Sequence, residues 1–211
     1  MAGRAVVAAF DFDGTLSRRD TLLPFIRRVL GSARLAMVLA GNGVPLALML
    51  AGRADRDDTK ARVLEDALAG FEADRLERAG AAYAAFLVDG GRLRDEVVAR
   101  ALEHKRLGHR VVVVSASPAV YLGPLGRRLG LDEVLATRLE RGTDGRLTGR
   151  LEGRNCRGEE KVLRLREWMA AAGQDGAEVV AYGDSSGDDE LLAFADTAYR
   201  VRRGRIEAVS P

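Results

Sequence analysis

The sequence predicts an α/β fold: a doubly wound parallel sheet, with a helical block inserted after the first strand and a β-hairpin further on. Three observations predict it. Apolar, largely β-branched runs at Val6–Phe10, 110–114 and 178–182 end in polar residues, namely Asp11, Ser115 and Gly183-Asp184. Helical patterns separate these runs, the alternation that parallel strands with crossover helices require. Residues 20–105 carry helix-like apolar spacing or high Ala/Leu content throughout, too long a stretch for one crossover. Ligands in such sheets bind beyond the carboxyl ends of the strands, so the three polar termini are expected to converge on one crevice.

The elements follow in order. Past the first strand, Phe10-Asp11-Phe12-Asp13-Gly14-Thr15 sets two carboxylates two residues apart, a spacing that points both the same way in a strand. Such crowding of negative charge implies a cation, and Gly14-Thr15 adds a flexible backbone and a hydroxyl suited to an anion. The run reads as an acidic nucleophile site built around a divalent metal. Helices are then expected over 21–30, 33–49, 57–69, 73–88 and 92–106, covering the crevice, with the last returning to the sheet. Residues 35–52 contain no charge, a length approaching a bilayer span. Gly41-Asn42-Gly43-Val44-Pro45 is turn chemistry, however, so two short apolar helices folded as a hairpin are expected there. Residues 134–140 and 146–152 around Thr143-Asp144-Gly145 predict a β-hairpin. Residues 118–129 and 159–172 read as core helices and 197–201 as a last strand. His104 and His109 lack ligand spacing and are expected in solvent, and Trp168 is expected in the core.

Composition narrows the function classes. A chain of 211 residues holds one or two domains with ample core. A net charge of +2 supplies no strong field toward nucleic acid or membrane. Cys156 is the lone cysteine, which excludes an internal disulfide and suits a reducing cytosol. The run at 6–10 is too short for a signal peptide. A cytoplasmic protein is expected, and oligomeric state is not readable.

With the elements placed, Asp11-Phe12-Asp13-Gly14-Thr15, Ser115 after four valines, Lys161, and Gly183-Asp184-Ser185-Ser186-Gly187-Asp188-Asp189 stand in the order of four motifs. The chain in this respect resembles the haloacid dehalogenase superfamily, in particular its phosphoserine-phosphatase-like branch (subfamily IB). The resemblance implies a Rossmann-like core over 1–17 and 91–211 and a C1-type helical cap over 18–90. It implies Asp11 as nucleophile, giving an aspartyl-phosphate, and Asp13 as general acid and then base. Thr15, Ser115 and Lys161 would meet the phosphoryl group. Mg²⁺ would be held by Asp11, Asp184 and the main-chain carbonyl of Asp13, hard oxygen ligands that suit it better than Zn²⁺, with Asp188 in support behind them. Arg157, one helical turn before Lys161, is the alternate for the third motif, and the spacing to Asp184 favours Lys161.

Two departures bear on substrate. Gly187 stands where phosphoserine phosphatases usually carry Asn, and Ala116-Ser117-Pro118 follows the second-motif Ser where they carry Gly-Gly. Asp20 falls where that branch places a Glu that reads the substrate ammonium. Lys60 and Arg62 lie near its cationic cap residue, and their spacing lets at most one face the cleft. The expectation is a Mg²⁺-dependent phosphomonoesterase acting on a small soluble phosphate ester. Phosphoserine or a related amino- or hydroxyl-bearing metabolite is the kind of substrate implied. Nucleic acid and membrane partners are not expected. The alternatives are a phosphotransferase using the same aspartyl-phosphate, a non-catalytic phospho-receiver-like module, and a lipid-phosphate hydrolase suggested by 35–52.

Overall fold

The computed structural model describes residues 4–53 and 56–209. A six-stranded sheet runs β3-β2-β1-β6-β7-β8, where β1 is Val6–Phe10, β2 Arg110–Pro118, β3 Glu133–Thr137, β6 Glu178–Gly183, β7 Thr197–Arg202 and β8 Arg205–Ala208. Every pairing is parallel except the last, β7 with β8. A separate pair, β4 (Leu139–Arg141) and β5 (Leu147–Leu151), forms the hairpin.

Period-two alternation sorts the strand residues onto two apolar layers. Ala8, Phe10, Val111 and Val113 pack on one face, with Val97 and Ala101 of α6 (Asp95–Arg106) and Tyr121 and Leu125 of α7 (Ala119–Leu129). Val7, Ala9, Val112, Val114 and Val179 pack on the other, with Leu165 and Met169 of α8 (Glu159–Ala171) and Leu191 of α9 (Asp189–Phe194). Both faces are covered, which explains why β1 and β2 read as nearly unbroken apolar runs.

Five helices stand between β1 and α6: α1 (Leu22–Leu30), α2 (Ser32–Gly41), α3 (Gly43–Leu50), α4 (Arg56–Leu68) and α5 (Ala73–Asp89). An antiparallel bridge between Ser17 and Leu93 closes the base of this insertion. Its α5 packs closely on α7. At Gly80 a Cβ would collide with the Val120 carbonyl, so the glycine sets how near the two helices come.

The structure corrects four expectations. Residues 134–137 pair with β2 in the main sheet, and only Leu139–Arg141 turns back against β5. The apolar helices break at Asn42 as the turn chemistry requires, but the bend is 70°, not a hairpin reversal. The helix expected over 92–106 begins only at Asp95, because Leu93 is extended against Ser17. His104 is buried: its Nε2 shares a hydrogen bond with the Tyr182 hydroxyl (2.9 Å), and its Nδ1 one with Nδ1 of His109 (2.8 Å). Tyr182 in turn stacks on Phe10 with ring centroids 4.2 Å apart. Trp168 is partly buried, packed against the second apolar layer.

Burial, reinforced by His109, lowers the His104 pKa to about 4, whereas the unfolded side chain titrates near 6.5. Between these values the unfolded chain binds the extra proton. The stability from keeping His104 neutral is therefore complete above pH 6.5 and is lost as pH falls toward 4. In urea unfolding, the advantage of wild type over His104→Gln is expected to shrink steadily from pH 7 to pH 4. A constant difference would show that the side chain does not titrate on unfolding.

Candidate active site

The carboxyl ends of β1, β2 and β6 and the first turn of α8 meet at one point. After Phe10 the chain makes a wide turn in which Asp13 is extended and Gly14 takes φ +83°, a left-handed conformation suited to glycine. A Cβ at Gly14 would land on the Asp184 carboxylate, so the glycine also lets that carboxylate sit against the loop. Asp11, Asp184 and Asp188 come together there, each offering an oxygen within 4.8 Å of the other two.

One ammonium faces this group. Lys161 is 1% exposed, and its Nζ donates to Asp11 Oδ1 at 2.6 Å and to Asp188 Oδ1 at 2.5 Å. Burial alone would lower its pKa, but the two facing carboxylates outweigh that and raise it. Burial pushes Asp11 the other way, up to about 7, against the pull of Lys161. Asp188 is held low, because the Lys161 charge and the hydrogen bonds from Ser185 outweigh its burial. Its Oδ2 accepts from the Asp184 and Ser185 amides and from the Ser185 hydroxyl, at 3.0–3.1 Å. Asp188 thus ties Lys161 to the loop that carries Asp184.

Asp13 belongs to a different set of contacts. Its Oδ1 accepts from the Thr21 amide (3.0 Å), the Thr21 hydroxyl (2.7 Å) and Ser17 (3.3 Å), and its Oδ2 accepts from Ser117. Thr21 is positioned by Tyr121, hydroxyl to hydroxyl at 3.0 Å, and by Tyr83, which donates to its carbonyl. Burial, then the nearby Asp20 charge, raises the Asp13 pKa to about 6, against those hydrogen bonds and Lys60. The Asp13 carboxylate is not among the three that come together.

The remaining candidates separate clearly. Ser115 is buried, and its hydroxyl accepts from the Ser117 amide at 3.2 Å. Thr15 is buried with its hydroxyl 3.5 Å from Asp184 Oδ1, so it faces that carboxylate. Asp20 is exposed and accepts from the Leu22 amide at the start of α1. Lys60 reaches across from α4 to the Ala116 carbonyl and to Asn155 Oδ1, whereas Arg62 is exposed to solvent. Arg157 lies over Gly187, where a Cβ would sit 2.9 Å from its Nε. The glycine at 187 therefore accommodates the arginine, and Lys161 is the residue on the carboxylates. Asp11, Asp13, Ser115, Lys161, Asp184 and Asp188 line one cavity of about 540 Å³, with Asp20, Lys60 and Arg157 also on its wall, whereas Thr15 and Arg62 do not line it. Asn155 donates to Asp57 at 2.6 Å and accepts from Thr137 at 2.8 Å. Sequence reasoning assigned no role to Ser117, Thr21 or Asn155; Ser117 and Asn155 have partners far along the chain, whereas Thr21 lies only eight residues from Asp13.

A family model for the haloacid dehalogenase-like hydrolases matches residues 8–193. The chain belongs to this family. It is 36% identical over 206 residues to protein CicA of Caulobacter vibrioides, covering 97% of this chain and 90% of CicA. It is 32% identical to a phosphoserine phosphatase of Halobacterium salinarum, covering 92% of this chain and 85% of that one. A crystal structure of a protein of unknown function from Bordetella pertussis Tohama I superposes with a TM-score of 0.78 at 26% identity, over 93% of this chain and 89% of that one.

The donor set fits the divalent cation that the family implies. Three carboxylates against one lysine leave negative charge uncompensated, and the donors are hard oxygens. Among the described residues, Lys161 is the only one whose ammonium bonds to the group. Lys161→Met is expected to destabilise the protein by about 3–5 kcal/mol in chelator, the usual cost of leaving a buried charge without its partner. Urea unfolding in chelator measures this, and a loss under about 1 kcal/mol would show that the contact carries little energy.

Proposed function

We propose that this hydrolase cleaves phosphate monoesters through a covalent intermediate on Asp11. The observation that carries the reading is the division of labour between two carboxylates two residues apart. Asp11 is pinned by Lys161 at the cavity floor, while Asp13 is held aside by Ser117 and Thr21, with a pKa of about 6. A nucleophile and a proton donor need this separation of environment. The phosphoserine phosphatase among the relatives supports the same substrate class.

In the first step an Asp11 oxygen attacks phosphorus, the bond to the ester oxygen breaks, and Asp13 gives its proton to the departing alkoxide. In the second, water attacks the aspartyl-phosphate, Asp13 takes up the proton, and inorganic phosphate leaves with Asp11 restored. Lys161 and the Ser115 hydroxyl offset the charge on the phosphoryl oxygens. Asp11, Asp184 and the Asp13 carbonyl would hold Mg²⁺, which when bound supplies charge neutralisation between carboxylate and phosphate. Residues 18–90 act as a cap over a core formed by 1–17 and 91–211. Phosphoserine itself is not part of the proposal, because the ammonium of Lys60 is already engaged by the Ala116 carbonyl and Asn155.

Asp11→Asn is expected to abolish p-nitrophenyl phosphate hydrolysis, and wild-type turnover in that variant would overturn the nucleophile assignment. Asp13→Asn is expected to lower kcat by 10²-fold or more, the usual worth of a positioned proton donor, while leaving Mg²⁺ binding in calorimetry unchanged. Chelator should remove activity and added Mg²⁺ should restore it; full activity in chelator would contradict the cation assignment.

A further inference from the structure

The helix α3 breaks an ordinary rule of packing. An apolar helix without a charged residue is normally buried on every side, yet no residue of Gly43–Leu50 is buried. Val44 is 71% exposed and Leu50 83%, and on the adjoining α2 Met37 is 68% exposed. Five of the nine large apolar side chains left exposed among the described residues lie in α1–α3. The inward side of the same helices is apolar as well. Leu39, Leu46 and Met49 join Leu22 and Leu23 as one wall of the cavity whose floor is Asp11, Asp13 and Lys161. Apolar side chains of α1–α3 therefore both line the cavity and stand exposed on the outside of the molecule.

The bend is held in place. At the elbow Asn42 is buried, and its side-chain amide donates to the Val38 carbonyl (3.0 Å) and to Asp66 of α4 (2.7 Å). Together α2 and α3 have the length and apolar composition of a membrane span, but they bend by 70° at the break, and an apolar pair bent in this way can lie in the plane of an interface. Arg34 and Arg53, both exposed, flank the uncharged stretch at its two ends. Basic residues bordering an apolar face match an anionic lipid surface.

We propose that α2 and α3 dock on an anionic bilayer and that the substrate is a lipid phosphate monoester drawn from it. Its hydrocarbon chain lies along Leu39, Leu46 and Met49, and its phosphate reaches Asp11. This rests on the hydrolase reading above and specifies its substrate: water and the lipid phosphate give the lipid alcohol and inorganic phosphate.

The test uses the whole protein with phosphatidylglycerol vesicles containing phosphatidate. The protein is expected to float with the vesicles, less so in high salt. It is expected to release phosphate from phosphatidate with kcat/KM at least tenfold above that for glycerol 3-phosphate or O-phosphoserine. Val44 and Leu48 are exposed, so a double variant Val44→Glu, Leu48→Glu should keep the wild-type urea midpoint. It should lose flotation, and its phosphatidate to glycerol 3-phosphate ratio should fall tenfold or more. Failure to float would overturn the proposal. So would flotation with preference for a soluble ester, or a vesicle-free dimer in sedimentation that the double variant dissociates. Flotation with no turnover of any ester, soluble or vesicular, would instead mark failure of the hydrolase reading, since vesicle binding is scored without catalysis.

Discussion

A buried ammonium shared by two carboxylates governs the rest of this structure. Lys161 comes from α8, Asp11 from the turn just after β1 and Asp188 from the segment after β6, so three separate stretches of chain must meet for any of the charges to be tolerated. Burying an ion is expensive unless a partner and further hydrogen bonds compensate it. Asp188 has both: Lys161 on one oxygen, and two amides and a hydroxyl on the other. Asp11 has the lysine and a more open side toward the cavity. The asymmetry leaves Asp188 as the fixed end and Asp11 as the end open to the cavity.

The parallel sheet makes that meeting possible. Register places Phe10 beside Val113 on one side and Tyr182 on the other, so Asp11 leaves the sheet level with Val114 of β2 and Gly183 of β6, close to Ser115 and Asp184. The Asp11 amide still bonds the Tyr182 carbonyl at 2.9 Å, which fixes the first catalytic candidate to the sheet's edge. The apolar layers on both faces serve this geometry. They hold the strand ends rigid while loops and helices beyond them carry the chemistry.

Much of this was legible in the sequence because it is local. A strand ending in Asp-Phe-Asp-Gly-Thr, a Ser after four valines and a Gly-Asp loop each carry their meaning within a few residues. The helical insertion was legible from its length and spacing. What could not be read is pairwise and distant. Ser117 meets Asp13 across 104 residues, and Asn155 meets Asp57 across 98. Nothing near Ser117 or Asn155 announces such a partner. The hairpin was misjudged for a related reason. Residues 134–140 keep one strand-like pattern, and only the third dimension shows that its first part pairs with β2. His104 misled because a lone histidine on an amphipathic helix carries no sign of the Tyr182 hydroxyl waiting on the sheet.

The bridge between Ser17 and Leu93 is where the chain enters and leaves the helical block. Backbone bonds from Arg18 to Arg92 and from Arg94 to Leu16 run on either side of it. Ser17 also touches Asp13. Tilting of the block would thus reach the loop that carries Asp13 through this short ladder as well as through the α5–α7 packing. A tether on the far helices would then act as a lever, with the Asp13 carboxyl near its fulcrum.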